Sequence, residues 1–369
     1  MVAVTSAKPP ARRVKCPVCL DEYAWDEREV LEYSVKDGKY NPARRPAGLR
    51  GAKLDDARRR WYVKCPNPSQ DSANHYLPAT LGDFADPLVV ALVGRPRSGK
   101  THLVVAMIRE LLGGVSAGEH GLRAEALDYY QHVTFKRNFL DPFERGSRLP
   151  GTRGGSGTYL EWLVVQRGNV KRPLVFFDVA GEDFRDPAEN GRHTRFLVNA
   201  GALLFVEDAP WIFRSLAEEQ DLRVDETLSL PAGASNEWVQ EAVSRLPAGR
   251  ESLPAVVALT KSDRLRYMTP ADRWIRERSG GLLSADRMLT ESRDVYGLLH
   301  SANANSIAMR LYSEFQRCTM HFVSATGGAV AEDDTFPAGI RPARVLVPLL
   351  ALFAMAGLIT GPEAERVGR

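Results

Sequence analysis

Eight residues, Gly94-Arg95-Pro96-Arg97-Ser98-Gly99-Lys100-Thr101, carry the strongest chemical signal in the chain. Glycines at the first and sixth positions let the backbone curl until successive N–H groups face inward, which makes a cradle for phosphate oxygens. Lys100 adds a point charge for the β- and γ-phosphates, and the Thr101 hydroxyl is the hard oxygen donor that Mg²⁺ prefers. The pattern has meaning only where a strand leads in and a helix leads out. Three further pieces follow in chain order. Asp178-Val179-Ala180-Gly181 places a carboxylate where Mg²⁺ can be held through water and a glycine N–H where a γ-phosphate can be met. Thr260-Lys261-Ser262-Asp263 offers one carboxylate, Asp263, to the adjacent N1–H and 2-amino donors of guanine, with the Lys261 stem over the ring; an Asp capping the next helix is the plainer alternative. Ser324-Ala325-Thr326 has no meaning alone, but in fourth place the Ala325 N–H can meet the guanine O6.

A second constellation lies ahead of these. Cys16-Pro17-Val18-Cys19 is a knuckle that lets two thiolates grip one ion. Cys65-Pro66-Asn67-Pro68 is half of a matching knuckle, with Pro68 where a fourth Cys would stand, and His75 downstream completes a Cys₃His set for Zn²⁺. A degenerate ribbon with free thiols is the competing reading. The chain has only 4 Cys, too few for a secreted disulfide scaffold, and Cys318 reads as a core residue.

The elements that must position these groups are legible as apolar runs. Leu88-Val89-Val90-Ala91-Leu92-Val93 ends in glycine and reads as a strand buried on both faces, and Thr101 to Leu112 has helical spacing that stops at Gly113-Gly114. Four more strand runs follow, all but the second leading into a motif: Leu174–Phe177, Ala202–Val206, Ala255–Leu259 and His321–Val323. Strands alternating with helices indicate an α/β fold, a doubly wound sheet. Asp141 to Thr158 reads as loop, and Arg223 to Ser235 as an insertion. Residues 1–86, with three Cys, many Pro and Gly, and a basic run from Lys36 to Lys64, read as a small module needing a staple, and residues 87–369 as the nucleotide domain.

Composition sets bounds. The net charge of +3 gives no general case for nucleic-acid binding. A mean hydropathy of −0.27 suits a water-facing protein. The first ten residues lack the apolar core of a signal peptide, so a reducing cytoplasm is expected. Val345 to Thr360 is uncharged but about one turn short of the roughly 20 residues a spanning helix needs, and reads as a buried terminal helix and not a membrane span.

The four nucleotide motifs together resemble the translation-factor-like class of P-loop GTPases. Within it, Gly181-Glu182-Asp183, the cysteine module and the apolar C-terminal segment make the chain similar to the bacterial double-GTPase family, type 2. The resemblance covers residues 87 to 360. It implies a P-loop GTPase sheet flanked by helices beside a zinc-ribbon-like module, binding of GTP and GDP with Mg²⁺, and a cytoplasmic switch working with a protein partner such as a second GTPase. The chain departs from the class pattern in places. Thr260 replaces the usual Asn, and Glu182 stands where a water-orienting Gln is common; Glu182 would act as a general base or repel the γ-phosphate. Thr152 is the favoured switch threonine, with Thr158 and Thr134 as rivals. Arg95 or Arg97 would serve as a finger in cis, or be solvated or ion-paired.

Overall fold

A computed structural model describes residues 12–70, 72–113, 115–151, 158–178, 200–213, 243–244, 246, 249–277, 281–301 and 305–369. Thirteen strands run in chain order among them. The first six are short: β1 (Arg13–Lys15), β2 (Glu22–Ala24), β3 (Leu31–Ser34), β4 (Lys39–Pro42), β5 (Trp61–Lys64) and β6 (Tyr76–Pro78). Then come β7 (Leu88–Gly94), β8 (Leu122–Ala126), β9 (Thr158–Arg167), β10 (Val170–Asp178), β11 (Ala202–Asp208), β12 (Ala255–Thr260) and β13 (Cys318–Phe322).

The last seven form one sheet in the order β13-β12-β11-β7-β10-β9-β8. Five neighbours, β10, β7, β11, β12 and β13, are parallel. β9 is antiparallel to both β10 and β8, so the sheet is mixed. β7, β11 and β12 read as near-continuous apolar runs because helices cover both faces. On one face Val90, Leu92, Leu204, Val206 and Val256 pack with helix Lys100–Gly113 and helix Leu346–Met355. On the other, Ala91, Val93, Leu203, Phe205 and Val257 pack with Trp274, Val295, Leu299 and Leu311 from the later helices. The doubly wound sheet expected from the apolar runs is therefore present, with two strands in addition. β8 alternates between covered and open positions as an edge strand does, and β9 carries the fully buried Glu161 in its middle, so neither reads as a plain apolar run.

The uncharged C-terminal segment becomes helix Leu346–Met355, every residue of which is buried. Pro348 sits in its first turn, where no backbone N–H partner is required. Among the described residues no helix is long and apolar enough to cross a membrane.

The N-terminal part builds a four-stranded antiparallel sheet, β4-β3-β5-β6, beside the β1-β2 hairpin. Arg58 joins its helix to the rest through Glu27 at 2.6 Å and Asp83 at 2.8 Å. This part packs directly on the large sheet. Val14, Tyr23, Leu77 and Leu81 share one buried cluster with Val89, Trp162, Val164 and Val175.

Candidate nucleotide and metal sites

The motifs converge on one edge of the large sheet, where the parallel strands end together. β7 delivers Gly94 and the loop delivers Lys100 to the start of its helix. Gly94 has no alternative: a Cβ there would lie 2.4 Å from the Val206 carbonyl oxygen of β11. Gly99 sits at φ +91°, which an L side chain resists. Arg97 also takes a left-handed φ of 63°. The Lys100 ammonium donates to the carbonyls of Gly94 at 2.8 Å and Arg95 at 2.9 Å, so it is folded back over its own loop. Lys100, Thr101 and Ser98 are buried, and among the described residues the Ser98 hydroxyl has no hydrogen-bond partner. Pro96 is partly open and Arg97 exposed. Thr101 is the second residue of the helix, and Asp178 ends β10 beside Leu92 of β7. A hydroxyl and a carboxylate on adjacent elements are the hard oxygen donors that Mg²⁺ takes.

The base side is held by side chains. The Thr260 hydroxyl lies 2.6 Å from the Ser98 carbonyl and 2.8 Å from that of Glu207, so it bridges the phosphate loop to β11. Thr260 thus braces the loop at the place where Asn is usual. The Lys261 ammonium reaches the Arg97 carbonyl at 3.1 Å and the Asp208 carboxylate. That fixes its stem across the mouth of the site. Asp263 is 6% exposed and accepts a 2.6 Å hydrogen bond from the Ser324 hydroxyl, which in turn accepts the Gly327 N–H at 2.9 Å. Ser262 N–H donates to the Val323 carbonyl at 3.1 Å, which stitches the Thr260–Asp263 turn to the Ser324-Ala325 turn. These bonds bring the two motifs together, with one carboxylate oxygen of Asp263 held in place.

Arg95 is not solvated. It lies 3.5 Å from the fully buried Glu207, whose carboxyl burial pushes up to about 7. Burial also lowers Arg95. Glu207 and Asp208 escaped the sequence reading, although an acidic pair at the tip of a buried strand, Phe205-Val206-Glu207-Asp208, is a usable signal. His102 was missed as well. It follows Thr101, accepts the Leu149 N–H through Nε2 at 3.1 Å, and is driven down to about 4 by burial, with help from Arg148 and Lys261.

Of the switch threonines, Thr158 opens β9 directly opposite Asp178, at the same edge. Thr134 is exposed on helix Tyr129–Phe135, whose His132 meets Glu161 of β9 at 3.1 Å. Thr152, Gly181 and Glu182 lie outside the described residues, as does the stretch from Arg223 to Ser235.

The cysteine set closes as its spacing suggests. One donor atom from each of Cys16, Cys19, Cys65 and His75 lies within 4.8 Å of all the others. Cys16 Sγ is 3.2 Å from His75 Nε2, and Cys19 Sγ is 3.6 Å from Cys65 Sγ. Each knuckle points a backbone N–H at its leading sulfur, Val18 to Cys16 at 3.3 Å and Asn67 to Cys65 at 3.4 Å. His75 Nδ1 donates to the Ala73 carbonyl at 2.8 Å, which leaves Nε2 facing the thiols. Hydrogen bonds from Cys16 and then His75 pull Cys65 down to about 4 against the effect of burial. Three sulfurs and an imidazole at tetrahedral-edge separations fit the donor set of a structural Zn²⁺. Cys318 is buried in β13, as a core residue.

A phosphate loop after the central strand, with Asp178 ending the adjacent β10 and the Thr260–Asp263 turn following β12, defines a P-loop GTPase fold. The family model Double-GTPase 2 matches residues 88–295, more than half of the chain, and the chain belongs to that family. No curated protein sequence matches it. Among solved structures, Era of Aquifex aeolicus bound to GDP.AlF4- is 15% identical with a TM-score of 0.30, over 74% of this chain and 57% of Era. The chain thus spans little more than half the length of that structure. The Arl6 BBS3 small GTPase of Trypanosoma brucei with a bound nucleotide analogue is 12% identical, TM-score 0.30, over 73% of this chain and 98% of its own. The signal recognition particle receptor SRb-GTP/SRX complex of Chaetomium thermophilum is 14% identical, TM-score 0.32, over 67% and 94%.

Proposed function

We propose that this chain binds GTP and GDP with Mg²⁺ and hydrolyses GTP slowly, as a cytoplasmic switch in a bacterial signalling or conflict system. The observation that carries the reading is Asp263, buried on the turn that Thr260 and Lys261 tie to the phosphate loop, with one oxygen held by Ser324. Thr101 and Asp178 would hold the Mg²⁺, whose chemistry would be to neutralise charge developing on the phosphates. Lys100 would leave the Gly94 and Arg95 carbonyls for the β- and γ-phosphates. Gly181 would present its N–H to the γ-phosphate, Thr152 would close over it, and Glu182 would take a proton from the attacking water. Arg95 is engaged by Glu207, which leaves Arg97 as the other candidate for a finger in cis, and turnover without a partner would stay near the slow end, about 10⁻⁴ per second as in unaided Ras. The N-terminal module would hold Zn²⁺ on Cys16, Cys19, Cys65 and His75 and, with the basic run from Lys36 to Lys64, offer a docking surface for a partner protein, a second GTPase by family expectation.

Nucleotide binding and turnover by the purified chain, GTP against ATP, with and without Mg²⁺, test this. GTP-selective, Mg²⁺-dependent binding with slow release of phosphate is expected; equal binding of ATP overturns the base assignment. A second reading, a GTP-binding adaptor without useful turnover, draws on the same Arg95–Glu207 pair. It predicts that Glu182→Ala leaves phosphate release unchanged or raised, whereas a general base predicts slower release with binding spared.

A further inference from the structure

The Ser324-Ala325 turn does not lead straight into the last helices. The chain leaves at Thr326, runs out through residues 327–342 and returns at Ala343. Ser324 and Ala343 exchange backbone hydrogen bonds of 3.0 and 2.8 Å, and Arg341 N–H donates to the Thr326 carbonyl at 2.9 Å. A Cβ on Gly327 would strike the Arg341 carbonyl oxygen at 2.4 Å, so the neck of this excursion tolerates only glycine there. Its foot is clamped. Buried Arg344 bonds Glu291 at 2.6 Å and Glu277 at 3.1 Å, and Glu291 also accepts the Phe322 N–H at 3.0 Å.

The outer end of the excursion meets another part of the site. Asp334 accepts the Arg148 N–H at 2.8 Å and pairs with its guanidinium at 3.1 Å. Phe336 N–H donates to the Gly146 carbonyl at 2.8 Å, and Ser147 bridges Thr335. Residues 146–148 are therefore zipped to the base-side excursion. The next residue, Leu149, is 3% exposed and donates its N–H to His102. The His102 ring meets Phe336 edge-on at 5.9 Å and Phe143 at 6.3 Å. Because Nε2 accepts, the ring is neutral with its proton on Nδ1.

We propose that residues 326–343 are a strap tying the base-binding turn to residues 146–149, and that His102 is the positioning residue at which strap, chain and phosphate-loop helix are joined. This rests on the GTP-binding reading above. Thr101 and His102 are adjacent, and Leu149 comes three residues before Thr152, so the joint fixes the start of the segment assigned to the γ-phosphate relative to the loop that holds the other phosphates. A triphosphate draws on that registration; a diphosphate does not.

The test is the dissociation rate of fluorescent GDP and of a fluorescent non-hydrolysable GTP analogue from the full chain with Mg²⁺. His102→Ala should release the triphosphate analogue about 10-fold faster and GDP within about 2-fold of the wild-type rate, a coupling of ordinary size. His102→Gln, whose side-chain carbonyl can accept the Leu149 N–H, should restore the slow rate. Should His102→Ala fail to fold, Phe336→Ala, on the partly open side of the joint, carries the same expectation with a smaller effect. Equal acceleration of both nucleotides, no rescue by Gln, or no change in any variant overturns the strap. If the wild-type chain retains neither nucleotide, the GTP-binding reading falls instead, and the two failures are thereby told apart.

Discussion

The nucleotide edge and the cysteine cluster solve one problem in opposite ways. Both must hold chemically active groups in fixed positions. At the nucleotide edge the backbone does most of this. Parallel strands end side by side, and the turns that follow are cross-tied by Thr260, Lys261 and Ser324 before any ligand arrives. Around Cys16, Cys19, Cys65 and His75 the strands are only three or four residues long, and the four side chains are themselves the tie. The first kind of site is built by its fold; the second builds the fold around it. Loss of a ligand should therefore matter locally in one region and globally in the other.

The sharpest way to break the comparison is at the cysteines. Cys16→Ser should cost the module its Zn²⁺ and about 3 kcal/mol or more of stability, since binding energy in such sites is folding energy. Elemental analysis and thermal unfolding check it; less than about a tenth of an equivalent of zinc in the wild type would favour a degenerate ribbon of free thiols. Next, Lys100→Ala should abolish measurable GTP binding while circular dichroism and the unfolding temperature stay near wild type. Micromolar affinity in that variant would remove the phosphate loop from the argument. Third, Asp263→Asn should weaken GTP by about 10- to 100-fold, the scale of losing a charge-assisted hydrogen bond, and shift preference toward xanthine nucleotides. Competition binding with GTP, ATP and XTP reads it out.

The effect that is smallest at neutral pH concerns His102. His102 titrates at about 4 in the folded chain and near 6.5 when unfolded. The unfolded chain therefore takes up this proton first as pH falls. The stability linked to His102 is complete above pH 6.5 and drains away between 6.5 and 4, by about 3 kcal/mol at most. Denaturation of wild type and His102→Gln across that window should diverge on the acid side. Parallel curves would mean that the imidazole is hydrated.

Much of this was legible beforehand, for a physical reason. The phosphate loop, the Asp263 and Ser324 turns, the place of Asp178 at a strand end and the central parallel strands announce themselves because strands buried on both faces run apolar and polar turns follow them. His75 was found because two knuckles lacked one ligand. What stayed hidden depends on distant pairing. β8 and β9 alternate or carry a buried Glu161 whose partner, His132, lies on another element. Glu207 looks like any strand end until Arg95 is placed beside it. The excursion from Thr326 to Ala343 looks like loop because its bonds go to Gly146 and Arg148, far away in the chain.

The apolar cluster shared by Cys16, Cys65, Leu77, Val89, Trp162 and Val175 carries one more consequence. Severed after residue 86, the larger piece would present Val89, Trp162, Val164 and Val175 to water as a sticky patch on its sheet, and the smaller would lose the wall against which its thiols are packed. Neither fragment is then a faithful stand-in for its part of the whole. A hybrid made by exchanging the first 86 residues with those of a relative would have to exchange the facing side chains of β9 and β10 along with them.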